Sequence, residues 1–328
     1  MVAVRHRTRA GSIPARLPRS RMVSVIPQTR PARVKKRARL APYIFIGLAV
    51  LYLLFFTAYP LLTGVNLSFT NSKLLNPSAG TYVGFDNYTS LIASGAFMKS
   101  VYTTLVYTAA TVVGCLVLGT ASALVINGFL PGRAIARTIM VLPWAVPTVA
   151  LALVFRWIYN DTNGIAGDAT QALGLGQIGW LIDPNYGMLA VVIATVWKLA
   201  PFVMLIVLAA LQSVPEELYE ATRVDGADAF TTFKQIVLPQ IAPTMRVVAL
   251  LMTIWSFRRF EIIWLLTGGG PVDATTTIVI NVYRQAFNNG NLGLAAAAGV
   301  LGLLLSFIVT VVYFFVEQRA IKANGAES

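Results

Sequence analysis

The chain has 328 residues, 56% of them hydrophobic and 12% charged, and its mean hydropathy of +0.69 lies above that of a soluble globular domain. Twelve of its 26 Lys and Arg residues precede Leu40 with no acidic residue among them, so the formal charge of +13 belongs to one end and does not point to nucleic acid. A single cysteine, Cys115 within an apolar run, and a single histidine, His6, exclude an internal disulfide, a cysteine metal cluster and a histidine-based triad or zinc site.

Residues 1–40 have no apolar periodicity and read as a disordered basic cytoplasmic tail beside anionic lipid. The acid-free, Arg-rich start also has the composition of an organelle transit peptide, and Met22 is an alternative start. Ala41–Phe69 is a first membrane span, bent near Tyr59-Pro60 and too long for a cleaved signal peptide. Thr70–Ser100 is an outer loop, Val101–Ile126 returns inward, and Gly128–Arg137 is a cytoplasmic loop carrying Arg133 and Arg137. Thr138–Ile158 crosses out. Pro143 and Pro147 around Trp144 free backbone carbonyls there, which neighbours or a water-lined cavity must satisfy. Asn160–Tyr186, with three Asp and no Lys or Arg, is outside, and Gly187–Leu211 goes back in. After a polar segment at 213–240, Pro243–Leu265 exits, Thr267–Pro271 lies outside, and Leu292–Phe315 is the sixth span. The expected architecture is an all-α integral membrane bundle of six transmembrane helices over 41–316, with a short tail at 317–328 and both termini cytoplasmic. There is no internal repeat and no matching pair of broken helices, which weighs against an inverted-repeat secondary transporter.

The polar segment reads as helix, tight turn, helix. Ser213 and Glu216 have capping-box spacing, Pro215 sits in the first turn, and Leu218, Ala221 and Val224 recur at helical spacing. Asp225-Gly226 is a turn, Asp228 a cap for the second helix, and Leu238-Pro239 its close. Both helices are shorter than the roughly 12 residues that stand alone in water, so they must pack on something.

Glu220-Ala221-Thr222, three residues, Gly226, nine residues, then Ile236-Val237-Leu238-Pro239 resembles the EAA loop of ATP-binding cassette (ABC) importer permeases, with Thr222 where that family has Ala. Val83-Gly-Phe-Asp-Asn-Tyr88 is similar to a signature of sugar-type permeases. Phe257-Arg258-Arg259-Phe260-Glu261 followed by the Thr-Gly-Gly-Gly-Pro run is similar to the first-type permease, maltose or glycerol-phosphate branch, of the carbohydrate uptake family, with Glu261 where Asp is usual. The resemblance covers about residues 40–318 and implies the type I ABC importer permease fold in the bacterial plasma (inner) membrane. It further implies a heterodimer with a second permease subunit, two cytoplasmic ATPase subunits that hold ATP and Mg, and an external solute-binding protein or lipoprotein. On this resemblance Glu217, Glu220, Ala221, Arg223, Asp225, Gly226, Leu238 and Pro239 form the coupling surface toward the ATPase, and the chain itself has no catalytic, cofactor-binding or metal-binding residue.

For the translocation pathway, charge at membrane depth is the guide, because insertion scales put its cost at about 2.5–3.5 kcal/mol per residue. Lys198, Arg259 and Glu261 are candidates, with Trp255 and Asn281; Arg259 with Glu261 also reads as an ion pair, a gate or a binding-protein contact. Arg156 and Arg258 equally suit snorkelling to headgroups. Trp144, Trp197, Trp255, Trp264 and Tyr283 suit stacking on sugar rings, while Trp157 and Trp264 also fit an interfacial belt. Gly268–Gly270 lacks the Lys-Ser/Thr of a phosphate loop. The leading expectation is a sugar or oligosaccharide permease; a glycerol-phosphate or polyol permease is the alternative within the class, and a secondary transporter working without ATPase the alternative outside it.

Overall fold

The computed structural model describes residues 41–128 and 131–325. The tail expected at 1–40 lies outside the described residues. Every regular element among those described is helical, and pairing between extended segments is limited to the isolated bridges Thr70–Tyr82, Lys73–Asn76 and Lys73–Asn291.

Helix α1 (Ala41–Leu53) forms part of a small first unit ending at Leu54, and its described side chains are exposed, as an apolar sequence facing lipid would be. The larger unit begins at Phe55. After a π-helical turn at Leu54–Ala58 comes α2 (Tyr59–Leu67), which starts with Pro60 in its first turn, where the missing N–H breaks no bond. The stretch Tyr43–Leu67 is long and apolar enough to cross a membrane.

The centre of the larger unit is the pairing of α4 (Ala96–Asn127) with α8 (Pro184–Leu211), reached after the short α3 (Asp86–Ala93). Lipid tails are as apolar as leucine, so two membrane helices associate through close backbone approach and interhelical hydrogen bonds. Both devices are present. A β-carbon at Gly119 would stand 2.7 Å from Cβ of Val203 and 3.0 Å from the carbonyl oxygen of Ala200, and one at Gly114 would stand 2.7 Å from a Val196 methyl. The fully buried Tyr107 hydroxyl lies 3.2 Å from the Thr195 hydroxyl. Around this seam Cys115, Ala123, Val203, Val207, Ile241 and Met252 form one apolar core.

The third crossing, expected at 138–158 with carbonyls freed around Pro143 and Pro147, is broken there. It consists of α5 (Arg133–Ala145) and α6 (Thr148–Ile158), bent by 95°. Pro147 forces the residue before it out of helical geometry, and Val146 is extended at φ −66°, ψ 132°. Outside it, the loop toward α8 contains α7 (Ile165–Ala172).

The polar segment between α8 and the next crossing holds α9 (Glu216–Val224) and α10 (Ala229–Thr232). Asp228 caps α10, its carboxylate accepting from the Thr231 amide at 2.8 Å, and Gly226 takes φ +72°. Two local expectations are corrected. The capping box does not form: Pro215 occupies the cap of α9 and the Ser213 hydroxyl bonds back to the Ala210 carbonyl instead. Leu238-Pro239 does not close the second helix either. A π-helical turn at Phe233–Val237 carries α10 into α11 (Leu238–Phe257), whose first turn accepts Pro239 without losing a bond, so Ala229–Phe257 is one crossing.

That crossing stops at Phe257, short of the expected Leu265. Residues 258–260 break it, α12 (Glu261–Thr267) and α13 (Ile278–Tyr283) follow, and α14 (Leu292–Gly325) is the last span. The α13 start is tied to α4 by the Ile278 amide donating to the Thr104 hydroxyl at 2.9 Å. Among the described residues five helices are long and apolar enough to span, and six if the bent α5–α6 pair is counted as one span.

If close approach of α4 to α8 carries this core, Gly119→Leu will lower stability by about 1–3 kcal/mol through overpacking. Gly299→Ala, where nothing lies within 4 Å, will be neutral. Denaturant titration of both purified variants in detergent checks this.

Candidate functional site

Three interrupted or mid-span segments meet at one cleft of about 470 Å³. Trp144 comes from α5 just before the proline break, Lys198 and Leu199 from the middle of α8, Trp255 from the end of α11, and Arg258, Arg259, Phe260 and Glu261 from the interruption between α11 and α12. Four of the five pathway residues expected from sequence, Lys198, Trp255, Arg259 and Glu261, therefore line one space. Asn281 does not join them; it is buried on α13.

The proline break and the intramembrane lysine resolve each other. The Lys198 ammonium donates to the Val146 carbonyl, a group left without a helical partner by the bend. Lys198 is only 9% exposed, so that bond matters to a charge shielded from water. Arg259 and Glu261 form no ion pair; among the described residues the single ion pair is Arg284–Asp273. The Nε of Arg259 is buried with no hydrogen-bond partner. Aromatic rings flank the cations. Phe202 stands between Trp144 and Trp255, at 5.8 and 5.0 Å between ring centroids, and Phe260 packs against Trp264 and Tyr283 at 5.7 and 4.9 Å. Trp264 thus belongs to a packed aromatic group, while Trp157 is 60% exposed.

The expected coupling residues form a second surface at the far ends of the same helices. Glu217, Glu220, Ala221, Arg223, Asp225, Gly226 and Pro239 are exposed, and Leu238 is half-buried. Val224 and Phe230 project beside them, 88% and 70% exposed. The opposite face is anchored, since Val214, Tyr219 and Phe233 pack on the apolar core built from α4, α8 and α11. Burial on that side pushes the Tyr219 phenol up from its ordinary pKa.

Residues 268–277, between α12 and α13, make a third feature that the sequence reading assigned no partner. Arg284 donates to the Asp273 carboxylate, to the Thr276 hydroxyl at 3.1 Å and to the Gly268 carbonyl at 2.8 Å. Lys99 holds the Val272 carbonyl at 2.9 Å. These bonds fix Val272 at φ 48° and Asp273 at φ 60°, a region that side-chain-bearing residues rarely occupy. An Asp and an Arg eleven residues apart with a turn between them leave no periodic signal.

Residues 115–322 match the family described as "Binding-protein-dependent transport system inner membrane component". The chain belongs to this family. It is a permease of the inner membrane and serves a transport system that depends on a solute-binding protein. It is 38% identical over 237 residues to the trehalose/maltose transport system permease protein MalF of Thermococcus litoralis, covering 72% of this chain and 80% of that protein. It is 32% identical over 275 residues to the sulfoquinovosyl glycerol transport system permease protein SmoG of Agrobacterium fabrum, covering 84% and 89%. In fold the permease matches a chain of a bacterial ABC transporter involved in import of the acidic polysaccharide alginate, at TM-score 0.75 and 24% identity, over 87% of this chain and 96% of that one.

The Arg284 network gives a pH prediction. Burial pushes the Asp273 carboxyl up, but hydrogen bonds from Arg284 and Thr276 outweigh it and hold the pKa below the usual carboxylate value. A depressed folded-state pKa contributes stability at neutral pH that is lost as pH falls through the folded value. Protection of the amides across 268–277, taken against the intrinsic exchange rate at each pH, should therefore hold from neutral pH down to about pH 4 and fall below it, and Asp273→Asn should lower it at neutral pH.

Proposed function

We propose that this permease is one of two membrane halves of an ATP-driven importer, carrying a sugar or oligosaccharide handed over by an external solute-binding protein. One observation carries the reading. Helices α8 and α11 border the cleft with Lys198 and Trp255, and the segment joining their cytoplasmic ends is the exposed pair α9–α10. A force applied to that pair reaches the cleft through two continuous helices. Because Val214, Tyr219 and Phe233 hold the pair on the core, it moves with those helices rather than swinging free.

On this reading two cytoplasmic ATPase subunits close on binding ATP with Mg and hydrolyse it, and the permease catalyses nothing itself. Its Glu217, Glu220, Arg223 and Asp225 meet the ATPase, with Gly226 forming the turn between the two helices. The bundle then alternates between inward- and outward-open states, which requires that the partner contact the two states with different affinity. Six crossings are few to enclose a saccharide, so a second permease completes the pathway. The saccharide assignment is supported by relatives named for trehalose/maltose, sulfoquinovosyl glycerol and galactooligosaccharide transport, and by aromatic rings beside the cleft, whose planes suit sugar C–H faces.

Gly226 is the sharpest test. At φ +72° it holds a conformation that proline, fixed near −65°, cannot adopt. Gly226→Pro should leave the protein in the membrane and reduce ATP-dependent uptake to background in the reconstituted complex; uptake at the wild-type rate would refute the coupling assignment. The permease alone in liposomes should move no solute, whereas ATP-independent transport would favour a secondary transporter.

A further inference from the structure

The cleft holds more positive charge than it balances. Lys198, Arg258 and Arg259 line it against one carboxylate, Glu261, and among the described residues none of the three cations has a carboxylate at ion-pair distance. The bond from Lys198 to the Val146 carbonyl occupies a donor without neutralising the charge. The Arg259 Nε, buried and unbonded, is a donor still waiting for an acceptor. An uncompensated charge at membrane depth is costly, and a guanidinium presents a planar fork that fits carboxylate, sulfonate or phosphate. Its volume, about 470 Å³, falls inside the range of ligand sites, about 300–1,000 Å³. The remaining walls are the aromatic Trp144, Trp255 and Phe260 with the aliphatic Leu199.

Resting on the reading of this chain as a solute permease, we propose that the cleft takes an anionic saccharide, one bearing a carboxylate, sulfonate or phosphate. Arg259 and Lys198 attract the anionic group, and the Trp255 and Trp144 rings receive the apolar face of the sugar. Glu261 sets the limit: one fixed negative charge among three positive ones weakens retention, so that the solute leaves again.

The binding protein filters solutes before they reach the membrane, so the test is made without it. The purified transport complex, in nanodiscs of phosphatidylcholine, is titrated with a trimer of hexuronic acid and with maltotriose while intrinsic tryptophan fluorescence is read. The acidic trimer should bind about tenfold tighter, one tenfold step in Kd. Arg259→Gln should narrow that ratio, and Glu261→Gln should widen it, an opposite response that general loss of folding does not produce. Equal affinities, preference for maltotriose, no binding of either sugar, or narrowing by Glu261→Gln overturns the inference. In phosphatidylglycerol nanodiscs the ratio should persist; its collapse would assign the cations to lipid headgroups instead of solute and overturn the inference. If ATP still drives uptake of a neutral saccharide while the cleft shows no acidic preference, this inference falls and the importer reading stands. If, with the solute-binding protein restored to the reconstituted complex, ATP drives uptake of neither, the importer reading falls with it.

Discussion

The structure depends on how it accommodates polar groups where water is absent. A proline-induced break within a bilayer exposes carbonyls that cost free energy unless something donates to them, and a lysine in the middle of an apolar helix has the complementary need. The bond from Lys198 to the Val146 carbonyl meets both at once. It gives one carbonyl at the 95° turn between α5 and α6 a donor, and Trp144, beside that turn, lines the cleft with residues of α8 and α11. Loss of either partner would leave the other buried and unsatisfied, so the bend and the charge belong together.

Around this point the fold separates rigid from adaptable parts. The α4–α8 seam is close-packed through Gly114 and Gly119, and side chains there have no room to rearrange. The interruption at 258–260 has no such constraint. Arg258 is exposed, Arg259 lacks a partner for its Nε, and Glu261 is exposed. Charges held loosely beside a rigid seam suit a site through which something passes, since a fully paired network would resist rearrangement.

Much of this was legible in the sequence because bilayer thickness imposes lengths that composition reveals, and Lys/Arg asymmetry orients them. The positive φ of Gly226 and the cap at Asp228 were legible because their residue types are tied to those geometries. The choice of Lys198, Arg259 and Glu261 followed from the cost of intramembrane charge, and that of Trp255 from the fit of an aromatic plane to a sugar ring. Asn281 carried no such cost and was misplaced relative to the cleft, since an amide can be buried on α13 as readily as it can face a pathway. Helix ends were misjudged wherever a proline has two uses. Pro239 was read as a stop and instead sits in a first helical turn, and Pro147, read only as freeing backbone carbonyls, also separates two helices. The Arg284–Asp273 network was invisible because its partners meet only once the turn between them is folded.

The widened turn at Phe233–Val237 has a geometric consequence of its own. Each π-type turn takes in one residue beyond the α-helical repeat, so the side chains after it are offset by roughly 100° about the axis from where an uninterrupted α-helix would put them. Trp255 therefore points where it does because of an inserted step about five turns upstream. The crossing resembles a cranked shaft more than a straight rod: tightening that single wide turn back to the ordinary pitch would spin the far end by more than a quarter of a circle.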